Sequence, residues 1–112
     1  MSEQLLKEEN LRIIKEIETN PSATQRTISL KLGISLGKTN YLFKELIKKG
    51  LIKIQSFSHN PGKLKKINYL LTEKGIEEKM RLMHHFLQRK ELEYICLREE
   101  WEQMTSNNKQ EG

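Results

Sequence analysis

A mainly α fold with a small β-hairpin (α+β) is what the sequence predicts, and three observations predict it. Apolar residues recur at helical spacing in three successive segments before residue 50. The period then shortens to about two over residues 51–57 and again over 67–71, with turn residues between. From Ile76 to Met104 apolar positions return in alternating steps of four and three, the signature of a long helix with a seam.

Residues 3–19 read as the first helix, with Leu6, Ile13, Ile14 and Ile17 at helical spacing and charges between them. Asn20-Pro21 ends it, because the residue before a proline is driven out of the helical region. Thr24 suits an N-cap for a shorter helix over 25–32, in which Ile28 and Leu32 face inward and the small Ser29 allows a close crossing. Gly33-Ile34-Ser35 then supplies a break: a glycine that can take positive φ, an apolar plug and a serine cap. Over residues 35–49 a third helix places Thr39, Leu42, Phe43 and Leu46 on one stripe. Its opposite face carries Gly37, Asn40, Tyr41, Lys44 and Lys48, with no aliphatic residue among them. Gly50 resembles a left-handed C-terminal cap.

Leu51 to Phe57 and Ile67 to Leu71 read as two strands joined through Ser58-His59-Asn60-Pro61-Gly62-Lys63, which is turn chemistry. Three helices followed by a basic hairpin is the order of a winged helix-turn-helix, with the third helix as recognition helix and residues 57–66 as the wing. Thr72 caps the final helix, along which Ile76, Met80, Met83, Leu87, Lys90, Tyr94, Leu97, Trp101 and Met104 form the seam. Eight of those nine positions are apolar or aromatic, Lys90 being the exception. Such a helix of about 30 residues extends roughly 45 Å, more than the small domain before it can cover, so the seam is expected to pair copies of the chain. Leu82 and Phe86 are expected to pack back on the domain near the start of the helix. The organisation read from the sequence is a DNA-binding domain over 1–75, a coiled-coil-like oligomerisation helix over 76–104, and a disordered polar tail over 105–112.

Charge is divided along the chain. Arg26 to Lys66 holds ten basic residues against Glu45 alone, a net +9, whereas Ile76 to the end has six basic and eight acidic residues, a net −2. Positive charge concentrated on the segment of the third helix favours a polyanionic partner. With 36% hydrophobic residues in 112, the chain can bury a modest core but hardly a deep cleft. No run approaches the roughly 18 apolar residues of a membrane-spanning helix, and the N-terminal residues lack signal-peptide order, so a cytoplasmic location is expected. Cys96, the single cysteine, forms no internal disulfide. His84 and His85 point about 100° apart on a helix and have no metal-ligating neighbour three or four residues away, so no metal site is expected. No glycine loop for phosphates and no nucleophile–base constellation is present, so neither catalysis nor a cofactor is expected.

Several strings resemble those of MarR-type winged-helix regulators, and more narrowly the MarR family regulators associated with exopolysaccharide (EPS) biosynthesis. They are Asn20-Pro21, Gln25-Arg26, the stretch from Leu32 to Gly50, Tyr69-Leu70-Leu71-Thr72 with Gly75-Ile76-Glu77-Glu78-Lys79, and Phe86-Leu87-Gln88-Arg89-Lys90 leading to Glu93-Tyr94. The group commonly has valine where this chain has Thr39, whose methyl group packs equally well. The resemblance implies sequence-specific DNA binding in the control of polysaccharide genes; composition and spacing say nothing of polysaccharide.

The expected contacts follow. Gly37, Lys38, Asn40, Tyr41 and Lys44 would face the major groove of double-stranded DNA, where Asn40 suits adenine and Lys38 and Lys44 suit guanine or phosphate. Ser35 and Lys48 border that surface. Gln25 and Arg26, at a helix N-terminus, suit phosphates, and Lys63, Lys65 and Lys66 would hold the wing on the backbone or in the minor groove. Ile76, Met80, Met83, Leu87, Tyr94, Leu97, Trp101 and Met104 would join a homo-oligomer, read as a dimer. Two other readings remain open: a winged-helix adaptor that binds protein, and an RNA-binding module, for which Tyr41 is the one stacking candidate on that face. The sequence names no small-molecule effector.

Overall fold

The computed structural model describes residues 3–57 and 66–111, without the side chains of residues 56, 57, 66 and 108–111. In chain order the elements are α1 (Glu3–Thr19), α2 (Gln25–Leu32), α3 (Leu36–Lys48), β1 (Ile52–Phe57), β2 (Lys66–Leu71) and α4 (Glu73–Glu111). The chain forms two compact units, Met1–Leu82 and Met83–Gly112.

Local chemistry fixes the helix ends in the first unit. Thr24 caps α2 with a reciprocal box: its hydroxyl accepts from Thr27 N–H at 3.1 Å, and Thr24 N–H donates to Thr27 Oγ1 at 2.9 Å. Gly33 closes α2 at φ 71°, a left-handed conformation that glycine adopts without a Cβ clash. Ser35 caps α3 by accepting from Lys38 N–H at 3.1 Å. At the other end of α3, Leu51 N–H reaches Leu46 O and Gly50 N–H reaches Ile47 O, both at 2.9 Å, with Gly50 at φ 75°. That pair of bonds satisfies carbonyls the helix would leave unpaired.

The core is the inner face of these elements. Ile13, Ile14, Ile28, Leu42, Phe43, Leu46 and Ile52 are buried, together with the whole predicted stripe of α3. The β1–β2 ladder is antiparallel, with Ile52 opposite Leu71 and Ile54 opposite Tyr69. This register turns the Tyr69 ring edge-on to Phe43, with centroids 4.6 Å apart. α1 packs against both α2 and β2, so it buries Glu9 and Leu11 as well as the isoleucines. Leu6 is only half-buried.

The start of α4 is tied to the end of α3. Thr72 N–H donates to Leu51 O at 3.0 Å, and the Thr72 hydroxyl donates to Gly50 O and Leu51 O while accepting from Gly75 N–H at 3.0 Å. A Cβ on Gly75 would lie 2.1 Å from Leu51 O and 2.5 Å from a Leu71 methyl, so only glycine fits there. Leu82 is buried and is the last residue of the first unit, so this unit extends past the boundary after residue 75 read from the sequence.

α4 runs for 39 residues and continues through Glu111, where the sequence reading expects a disordered tail from residue 105. Thr105 returns its hydroxyl to Trp101 O at 2.9 Å, and no proline or glycine occurs between Gly75 and Gly112, so nothing local stops the helix. From Met83 to Asn107 no residue is buried.

Candidate nucleic-acid interface

α3 divides cleanly by face. Thr39, Leu42, Phe43 and Leu46 are buried, and the Thr39 hydroxyl donates back to Ser35 O at 2.9 Å. On the opposite side Gly37, Tyr41, Lys44 and Lys48 are exposed, Tyr41 by 55%, and Asn40 is half-buried at the flank. A Cβ on Gly37 would meet nothing within 4 Å, so packing within the chain does not demand glycine there. What glycine provides at that position is a smooth patch beside Asn40 and Tyr41 that leaves room for a close approach.

Other predicted residues are held within the unit. Lys38, adjacent to Gly37 and so about 100° around the helix from it, turns toward α1, and its Nζ lies 2.9 Å from Glu9 Oε1. Lys38 is therefore separate from the outer surface it was expected to join. Gln25 donates from Nε2 to Tyr69 Oη at 2.9 Å, which locks the first turn of α2 to β2. Arg26 is exposed beside it. These residues line an open groove of about 490 Å³ with Ser22, Thr24, Ile67 and Asn68. Its floor is the N-terminal turn of α2, where unpaired amides and the helix dipole favour an anion. The Ser35 hydroxyl is engaged as the cap of α3. Lys31, counted in the basic segment, pairs with Glu16 at 2.9 Å, so part of the +9 is neutralised by acids of α1.

Lys63 and Lys65 lie outside the described residues, as does the turn over residues 58–63; Lys66 enters β2, and its side chain is not described. Along α4, Ile76, Met80, Met83, Leu87, Tyr94, Leu97, Trp101 and Met104 are all exposed. Phe86 is half-buried and meets the His85 ring edge-on at 5.2 Å. Leu92 and Ile95 are exposed apolar residues off the seam, which heptad counting alone does not single out. In the first unit Glu78 hydrogen-bonds the Arg81 guanidinium and raises its pKa above the ordinary arginine value.

Sequence reasoning missed Glu9, a buried carboxylate, and Gly75, a close approach. Both depend on neighbours distant in the chain, so neither leaves a local pattern.

A family model described as winged helix-turn-helix DNA-binding matches residues 10–53. No curated protein matches the sequence. Among solved structures, a MepR mutant from S. aureus aligns with a TM-score of 0.64 and 21% identity, over 96% of this chain and 74% of that one. The PcaV transcriptional regulator from Streptomyces coelicolor, solved with its natural ligand, aligns at 0.62 and 16% identity over 74% of this chain and 57% of its own. MarR from Staphylococcus aureus, in complex with salicylate and kanamycin, aligns at 0.55 and 22% identity over 78% and 55%. The chain thus spans little more than half the length of the PcaV and MarR structures. At these identities the likeness is one of architecture: four helices and an antiparallel hairpin, arranged as a winged helix-turn-helix of the kind found in MarR-family structures.

Proposed function

We propose that this protein is a sequence-specific double-stranded DNA-binding regulator of transcription, acting in the cytoplasm as a homodimer. The observation that carries the reading is the outer face of α3, where Gly37, Asn40, Tyr41, Lys44 and Lys48 stand opposite the buried stripe. That set pairs an amide suited to adenine edges with lysines suited to guanine or phosphate, on a helix whose packing does not need them. Arg26 and the N-terminal turn of α2 supply backbone contacts, joined by Lys63, Lys65 and Lys66 from the wing. Pairing through α4 would present two such helices to half-sites about one helical turn, roughly 34–36 Å, apart. The resemblance of several strings to exopolysaccharide-associated regulators is what directs the expected targets to polysaccharide genes.

The test is a gel-shift panel on duplexes selected by the full chain from a random pool, with single-stranded RNA as competitor. Asn40→Ala is expected to relax preference at one base pair, whereas Lys65→Ala weakens every duplex alike and lowers the salt slope by about 0.9. Equal losses for both variants on every probe would refute this division of labour. A second reading, a protein-binding adaptor, draws on Leu30, which stands 77% exposed on α2 as an adaptor's apolar anchor would. Full-affinity duplex binding by Leu30→Ser would set that reading aside.

A further inference from the structure

The geometry points to Glu9 as the residue that seats the recognition helix, with Lys38 serving as its tether and not as a contact to DNA. This inference rests on the DNA-binding reading above and deepens it.

Glu9 is 4% exposed, and both of its carboxylate oxygens are shielded from solvent with no hydrogen-bond partner among the described residues. What faces the carboxylate is Lys38 Nζ, 2.9 Å from Oε1, an ion pair by distance though not aligned as a hydrogen bond. A buried carboxylate needs its cation, since an uncompensated charge in a core is far costlier than the same charge in water. Lys38 therefore cannot leave for a phosphate without stranding Glu9. The lysine is fixed at both ends, because its own N–H donates to the Ser35 cap at 3.1 Å. It also sits at the third position of α3, where a positive charge opposes the helix dipole and gains from a facing acid.

The result is a brace from α1 to the first turn of α3, one residue from Gly37 and two from Asn40. The residues that would read bases are linked to Glu9 through Lys38 on the same helix. Their height above the core is set through it. Glu9 is thus a positioning residue for base discrimination, and the +9 segment contains at least one charge that releases no counterion.

The experiment compares the full wild-type chain with Lys38→Met and with the double variant Glu9→Gln plus Lys38→Met, on the duplex the wild type selects and on a single-base mismatch. Methionine keeps the length of the lysine stem without its charge. Lys38→Met alone strands the carboxylate and is expected to lose about tenfold or more in affinity, with poorer mismatch discrimination, or to fail to fold. The double variant removes the demand for a cation and is expected to recover folding by circular dichroism, affinity within about threefold of wild type, and a wild-type salt slope. A double variant that stays as weak as Lys38→Met, that loses about 0.9 from the slope, or that does not fold overturns the brace. The first two outcomes would return Lys38 to the DNA surface. Failure of the wild type to select any duplex is a separate result: it removes the DNA-binding reading, and the claim on base discrimination with it.

Discussion

α3 and the distal part of α4 are both amphipathic helices, and they resolve that property in opposite ways. In α3 the apolar stripe is shut away, Phe43 completely, with α2 and the hairpin packed on that helix. In the second unit the stripe of Leu87, Tyr94, Leu97, Trp101 and Met104 lies open, with Trp101 67% exposed. Periodicity therefore tells that a helix has a face to bury, and the amount of chain around it tells whether it can be buried alone. The first unit has three helices and a hairpin to share a core; the second, among the described residues, is a single helix. Contiguous exposed apolar surface of this kind marks an interaction site, which is why pairing of copies belongs to the proposed function.

Four substitutions would break or sharpen that contrast. Phe43→Ala opens a cavity in the closed stripe and should lower unfolding free energy by about 3–5 kcal/mol in a denaturant titration. Gly75→Ala drives a methyl into Leu51 O and should cost about 2–3 kcal/mol by the same measurement, with α3 loosening at its C-terminal end in hydrogen exchange. Trp101→Ala should weaken self-association by about 2 kcal/mol in sedimentation equilibrium while leaving the unfolding of dilute monomer nearly unchanged. If it instead destabilised the monomer as much as Phe43→Ala, the two helices would not differ in the way described. Thr24→Ala, at a solvent-exposed cap, should cost about 1 kcal/mol and leave association untouched.

Much of the first unit was legible because its signals are local. Asn20-Pro21, Thr24, Gly33, Ser35 and Gly50 punctuate the helices as residue chemistry dictates, and the inward set of α3 follows from a 3.6-residue period. The site was less legible where side-chain reach mattered more than residue type. As a lysine on α3, Lys38 reads from the sequence as a groove contact, yet its side chain turns away from the outer face to the Glu9 carboxylate of α1. A polar residue at a helix start such as Gln25 suggests a phosphate contact, yet β2 brings the Tyr69 hydroxyl to it from 44 residues away. Glu9 itself reads as one charge among many in α1. Its burial beside Lys38 depends on how α1 meets α3, which no local pattern in α1 records. Polar composition alone suggests disorder from residue 105, whereas α4 continues to Glu111 because Thr105 to Gln110 contains no helix breaker.

The oxygen of Leu51 has a consequence for how this chain can be altered. It receives the amide and the hydroxyl of Thr72 and closes over the bare Cα of Gly75, so the end of α3 and the start of α4 share one joint. Ile52 and Leu71, which flank that joint, stand opposite each other in the ladder, so its spacing is held from both strands. An insertion between Gly50 and Ile52, or between Leu71 and Gly75, would break that spacing. For anyone rebuilding this scaffold, the joint is the part to leave as it is.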